Sequence, residues 1–130
     1  MIPFSLERIV LVEYLDALQH VNNIQYLHWV QEVAKAHWES LIKVQPDEYH
    51  NWVVRSHQIE YKHPAQLGDE ITINTFVKQS KGFLSERIVE IFLKKNNQLL
   101  TRCSTQWCYI NKNSGKLERI PRKVLLLFSQ

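Results

Sequence analysis

"LDALQHVNNIQYLHW", residues 15–29, decides how the chain is read, because its first nine positions crowd Asp16, His20, Asn22 and Asn23 in front of a helical pattern. From there Ile24, Leu27, Val30, Ala34, Trp38 and Leu41 recur every three or four residues, the period of an amphipathic helix. Tyr26, Trp29 and Val33 widen the stripe, so the helix is expected to be enclosed on more than one side. Before it, "SLERIVLVEYL" (5–15) has the β-branched and aromatic content of a first strand that ends at Asp16. After it, "KVQPDEYH" (43–50) breaks the pattern with Pro46 and charged residues and reads as a loop.

The remainder is strand-like. "WVVRSHQIEY" (52–61), "DEITINTFVKQ" (69–79), "FLSERIVEIFLKK" (83–95) and "LLTRCSTQWCYIN" (99–111) are separated by "HPAQLG", "SKG" and "NNQ", and "KNSGK" follows the last of them. Connections this short favour antiparallel pairing, since a parallel crossover needs about a dozen residues or more. One strand, one long helix and four more strands predict an α+β fold with the helix packed on an antiparallel sheet.

Composition narrows the class. A chain of 130 residues that is 45% hydrophobic buries one real core. Three Gly and four Pro are scattered through it with no low-complexity tract, so residues 1–130 read as a single domain. "MIPFSLERIV" has no basic segment followed by a continuous apolar run, and no stretch approaches the roughly 18 to 20 apolar residues of a membrane span. A soluble, unprocessed protein is therefore expected. Cys103 and Cys108 sit five apart on one predicted strand, on opposite faces and separated by roughly 16 Å of rise. A disulfide needs Cα atoms within about 7 Å, so they do not pair with each other there. Two free thiols fit a reducing cytoplasm.

The net charge of +3 is uneven: residues 1–65 hold five Lys or Arg against eight Asp or Glu, and residues 66–130 hold eleven against five. A basic half serves an anionic ligand, a nucleic acid or only solubility. The basic residues lie on alternating strand positions and loops, without a basic helix or zinc-ligand spacing, which argues against nucleic acid. No His pair has zinc-helix spacing with an intervening Glu, so no metal is expected. His28, His37, His50, His57 and His63 take ordinary structural readings, with His57 a paired strand histidine, and Trp29 and Trp38 are first of all core.

Asp16 falls between a strand and a helix, where its carboxylate is held near the helix N-terminus. The first-turn amides there lack intrahelical acceptors and carry partial positive charge, so they can cradle an oxygen that becomes negative. A carboxylate beside free amide donors suffices for acyl transfer: one group attacks or activates water, the other stabilises the oxyanion. Asn22 or Asn23 is equally a standard helix cap, and Asp16 a turn-closing residue. Caps are far commoner than catalytic sites, but a cap needs one polar residue and this stretch has four.

"LDALQHVNNIQYLHWVQEVA" resembles the Asp-x-x-x-His-Val-Asn-Asn-x-x-Tyr segment of hotdog-fold thioesterases, both the 4-hydroxybenzoyl-CoA type and the plant acyl-acyl-carrier-protein type. "IEYKHPAQLGDEI", "SKGFLSERIVEIF" and "TRCSTQWCYINKNSGKLERIP" resemble the later strands of that family in order, so the likeness spans nearly the whole chain. It implies a long central helix wrapped by a curved antiparallel sheet, with subunits paired into a homodimer at least and often a homotetramer. By the same resemblance Asp16 is nucleophile or general base, the Asn23 backbone amide polarises the thioester carbonyl, and His20 supports the site. Asn22 joins the substrate-binding set, and the phosphates of CoA fall near Lys78, Ser80, Lys81 and Gly82. No cofactor is implied. Two positions depart from the family: Gln19 stands where the CoA enzymes commonly have Gly, and Leu18 where the plant enzymes carry an Asn. The expected activity is hydrolysis of an acyl-CoA or acyl-carrier-protein thioester to a carboxylic acid and a thiol. The alternatives are a hotdog protein that binds thioesters without turnover and, ranked lower, a hotdog hydratase or dehydratase. Acyl chain length, the choice of CoA or carrier protein, the tetramer arrangement and the nucleophile-or-base role of Asp16 are not encoded by any motif.

Overall fold

The computed structural model describes residues 3–130; Met1 and Ile2, which open the N-terminal stretch discussed above, lie outside the described residues. The elements are β1 (Phe4–Ile9), α1 (Asn23–Ile42), β2 (Asn51–Tyr61), β3 (Glu70–Lys81), β4 (Leu84–Leu93), β5 (Gln98–Ile110) and α2 (Arg122–Phe128), with 3-10 turns at Val12–Tyr14 and Pro46–Glu48. The five strands form one antiparallel sheet in the order β1-β3-β4-β5-β2. α1 lies over β1, β3 and β4, which is the helix-on-sheet arrangement of a hotdog fold.

The first strand is shorter than its β-rich sequence implies. β1 has only β3 to pair with, and the ladder ends at Ile9 opposite Glu70, where β3 begins. The Val10 amide donates to the Asp69 carbonyl and the chain then leaves the sheet through the Val12–Tyr14 turn. The four later strands fall within a residue or two of their expected bounds, and α2 adds a short helix that the strand-like reading passed over. The "KNNQ" hairpin closes with Asn97 at φ 57°, a left-handed conformation Asn tolerates.

Alternation along β3 sets the inner face: Ile71, Ile73, Thr75 and Val77 are buried. Their neighbours across β4 are Leu93, Ile91, Val89 and Arg87. From α1, Tyr26, Trp29, Val30 and Val33 meet this face and form one cluster with Ile71, Ile73, Val89 and Ile91. The core face thus combines Val30 of the stripe with the widening residues Tyr26, Trp29 and Val33, whereas Ile24 is 62% exposed. The single chain encloses α1 on one side only; Gln31, Ala34 and Trp38 front a cavity on the other. A second apolar cluster of Val77, Tyr109, Ile120, Val124 and Phe128, with Trp38 and Trp52 against it, closes the far end of the helix.

Cys103 faces the helix side and Cys108, five residues on, the opposite side of the sheet; both are buried and free. No helix among the described residues is long and apolar enough to cross a membrane. Trp29 is 1% exposed and makes edge contacts with both Tyr14 and Tyr26. Trp29→Ala is expected to cost about 3–5 kcal/mol, read as a lowered midpoint in urea denaturation.

Candidate active site

The 15–22 loop is a closed turn. Asp16 and His20 exchange backbone and side-chain bonds: the Asp16 amide donates to the His20 carbonyl at 2.8 Å, and Asp16 Oδ1 accepts from the amides of Leu18 at 2.8 Å and His20 at 3.2 Å. Asp16 Oδ2 has no partner, and the carboxylate forms no ion pair, among the described residues. One carboxylate oxygen is therefore anchored and the other is available. The turn forces Gln19 to φ 64°, the left-handed region that a side chain makes unfavourable and a glycine does not. A glycine at that position holds the same conformation without a Cβ penalty.

Two devices seat this loop at the start of α1. Asn22 is the helix cap, its Oδ1 accepting from the Ile24 amide at 2.9 Å, while its own amide donates to the Tyr14 carbonyl at 2.8 Å. Asn22 thus fills the cap role outright. The connection from β2 to β3 then crosses the helix end, where the Val21 amide donates to the Ala65 carbonyl and the Ala65 amide to Tyr26 Oη. The Asn23 amide, first in the helix, has no acceptor among the described residues. A free carboxylate oxygen and a free helix-terminal amide consequently share one exposed helix end. His20 is half-buried; its backbone holds Asp16, and its ring makes no hydrogen bond among the described residues.

The other expected ligand residues lie elsewhere. Lys78, Ser80, Lys81 and Gly82 occupy the β3–β4 hairpin, with Gly82 at φ 63° in its two-residue turn. The Gly82 and Phe83 carbonyls accept from Ile120 and Tyr109, and Ser80 Oγ donates to Ser85 Oγ at 2.9 Å. Asp16 sits at the Glu70 end of β3, so the hairpin is separated from it by most of that strand, on the order of 30 Å. One chain does not bring the two sets together.

The structure adds a cavity of about 550 Å³ between the second half of α1 and strands β2, β4 and β5, walled by Trp38, Trp52, Trp107 and Phe128. Arg87 lines it, 5% exposed, with Nη1 donating to His37 Nδ1 at 2.9 Å and Thr75 Oγ1 at 3.0 Å. The sequence carries a signal for it: Arg87 shares the inward parity of Val89, Ile91 and Leu93 on β4, a charged residue on a core-facing register. Nearby on the same face, His57 Nδ1 meets Thr105 Oγ1 at 2.8 Å, which makes His57 the paired strand histidine expected of it. Among the described residues no three His, Cys, Asp or Glu gather as a metal site.

Two measurements follow from this geometry. Gln19→Gly relieves the left-handed strain and is expected to raise stability by about 0.5–1 kcal/mol despite the added chain entropy, read from the denaturation midpoint. Burial, and then the Arg87 charge, hold His37 down from 6.5 to about 4. Unfolded His37 takes up a proton as pH falls below 6.5, while the folded residue does so only near 4, so stability is full above pH 6.5 and declines as the pH falls towards 4. His57, also lowered by burial, acts in the same sense. His37→Gln keeps an acceptor for Arg87 and is expected to flatten part of that decline in a series of pH-dependent denaturation curves.

Comparison with known proteins agrees with this architecture. The sequence model of the acyl-ACP thioesterase N-terminal domain matches residues 4–128. The long-chain acyl-CoA thioesterase FadM of Escherichia coli is 36% identical over 74 residues, 53% of this chain and 54% of that one, so the match spans about half the length of that curated relative. Among solved structures, YbaW, a probable thioesterase from Escherichia coli, superposes with a TM-score of 0.85 at 24% identity over 98% of this chain and 99% of that one. Slr0204, a 1,4-dihydroxy-2-naphthoyl-CoA thioesterase from Synechocystis, gives 0.82 at 21% identity, covering 98% and 96%. SAV2348 from Staphylococcus aureus, solved in complex with CoA, gives 0.87 at 15% identity, covering 99% and 84%. At these identities the structures share the fold alone. The sequence match runs from the first residue of β1 to the last of α2, and the chain belongs to the acyl-ACP thioesterase N-terminal domain family.

Proposed function

We propose that this chain hydrolyses an acyl thioester, with residues 1–130 acting as one hotdog domain. The observation that carries the reading is the helix end where Asp16 Oδ2 and the Asn23 amide are both unengaged while the amides of Leu18, Gln19, His20, Val21 and Asn22 between them are all tied. The carbonyl oxygen of the thioester rests on the Asn23 amide, so the negative charge that develops on it meets a fixed donor at the positive end of α1. Asp16 takes a proton from water as that water attacks the carbonyl carbon, or attacks it directly and is released by water in a second step. In both routes the C–S bond breaks, and the thiol and a carboxylic acid leave. His20 keeps the carboxylate oriented through its backbone amide.

Two copies of the chain build the complete site. Asp16 and the Lys78–Gly82 hairpin are too far apart within one chain, and β2 leaves one edge of the sheet unpaired. A second copy running antiparallel brings its hairpin towards this Asp16, where Lys78 and Lys81, exposed and in no ion pair among the described residues, meet the phosphates of CoA or the phosphopantetheine and acidic surface of a carrier protein. Further pairing to a tetramer, a place in fatty acid metabolism and a cytoplasmic setting complete the reading. The two free thiols suit a reducing compartment.

Asp16→Asn is the test, because the Asn Oδ1 still accepts from Leu18 and His20 while the proton acceptor and nucleophile are gone. Free-thiol release from a panel of aliphatic and aromatic acyl-CoAs and acyl-carrier proteins is expected to fall at least about a hundredfold in the variant, with an unchanged melting curve. Equal turnover in the variant removes Asp16 from this role, and no turnover on any thioester by the parent protein points to binding without catalysis. Appearance of solvent oxygen in Asp16 after a single turnover separates direct attack from base catalysis.

A further inference from the structure

Arg87 is a cation enclosed without an anion. It is 5% exposed, and no carboxylate lies within ion-pair distance of it among the described residues. Both acceptors of its Nη1 are neutral: Thr75 donates its own hydroxyl hydrogen bond to the Ile88 carbonyl at 2.9 Å, and His37 stays unprotonated down to a pH of about 4. The hydrogen bonds among the described residues engage Nη1 alone, which leaves Nε and Nη2 with donors to spare. Burial lowers its pKa to about 10, so Arg87 remains charged at neutral pH. A buried charge left uncompensated is strongly unfavourable, and proteins keep one where something completes it.

The surroundings say what completes it. Arg87 lies in the wall of the cavity together with the polar Asn51 and Ser85, and Trp38, Trp52, Trp107 and Phe128 offer aromatic surface there. Trp107 Nε1 is a further buried donor without an acceptor among the described residues. The volume of about 550 Å³ falls in the usual range for a small-molecule site. At the mouth Lys35 and Glu39 lie 3.9 Å apart on adjacent turns and are well exposed, so Glu39 is turned to solvent and to Lys35. Gln31, at the near end of the cavity, stands eight residues from Asn23, about 12 Å along the helix axis.

We infer that this cavity takes the far end of an acyl group that carries a carboxylate, with the apolar stem against the tryptophans and the carboxylate paired with Arg87. The acyl part of this statement rests on the thioesterase reading; the anion-binding part rests on Arg87 and the cavity alone.

His37, which touches Arg87, stands fourteen residues from Asn23, about 21 Å along the helix axis, so the test pairs hexadecanoyl-CoA, whose chain is long enough to span that distance, with its ω-carboxylated counterpart, hexadecanedioyl-CoA. The protein is expected to favour hexadecanedioyl-CoA by at least about tenfold in kcat/KM, the scale of a hydrogen bond to a charged group, and Arg87→Gln to abolish the preference while Arg87→Lys retains part of it. Free suberate and octanoate, but not the uncharged octan-1-ol, are expected to change the tryptophan fluorescence saturably, and Arg87→Gln to remove that response. Hydrolysis of hexadecanoyl-CoA as fast as hexadecanedioyl-CoA by the parent protein overturns the inference and leaves the thioesterase reading intact, whether or not the variants fold. Absence of any hydrolysis, with suberate binding that depends on Arg87, overturns the thioesterase reading and supports the anion site.

Discussion

The packing of Tyr26, Trp29, Val30 and Val33 onto the inner face of β3 and β4 is the constraint on which everything else rests. It buries the helix stripe against Ile71, Ile73, Val89 and Ile91, and hydrophobic burial at this scale fixes the direction of α1 over the sheet. Once the helix axis is set, its N-terminus has to emerge where β2 gives way to β3, since that connection crosses from one edge of the sheet to the strand beside β1. Val21 and Tyr26 then tie Ala65 across the helix end, and the Asp16 turn closes in front of it.

This construction places two kinds of polar chemistry at the two halves of one helix. At the N-terminal end the donors are backbone amides, exposed because a helix cannot satisfy its own first turn. Asn22 takes one of them and leaves the Asn23 amide open. Along the C-terminal half the donor is a side chain, Arg87, presented from β4 into a cavity that α1 only partly roofs. The first suits charge that develops during a reaction, and the second suits charge that a ligand already carries. Between them runs the apolar surface of the helix.

Much of the geometry of the Asp16 turn was legible because it is local. Asp16, Gln19, His20, Asn22 and Asn23 lie within eight positions, so turn chemistry and capping preferences, which act over a few residues, describe them before any tertiary contact is known. The strain at Gln19 is a case in point: a closed turn followed by a helix start leaves a left-handed residue somewhere in the loop, and resemblance to sequences with glycine there points to which one. Arg87 was not legible in the same way. Its inward parity is visible on "SERIVEI", but whether an inward arginine meets a carboxylate, a neutral acceptor or a cavity depends on His37 and Thr75, which are 50 and 12 residues away.

What the sequence by itself determined is the element order, the antiparallel pairing implied by short connections, the capped helix and the carboxylate at its start, because each follows from periodicity or chemistry within one turn or hairpin. Tertiary structure alone decided which stripe of α1 is core and which fronts a cavity, where β1 ends, and that Lys78–Gly82 lies a strand's length from Asp16. Those outcomes depend on which surfaces meet across the sheet, and contacts between residues far apart in the chain are set by the packing of whole faces rather than by any neighbouring residue.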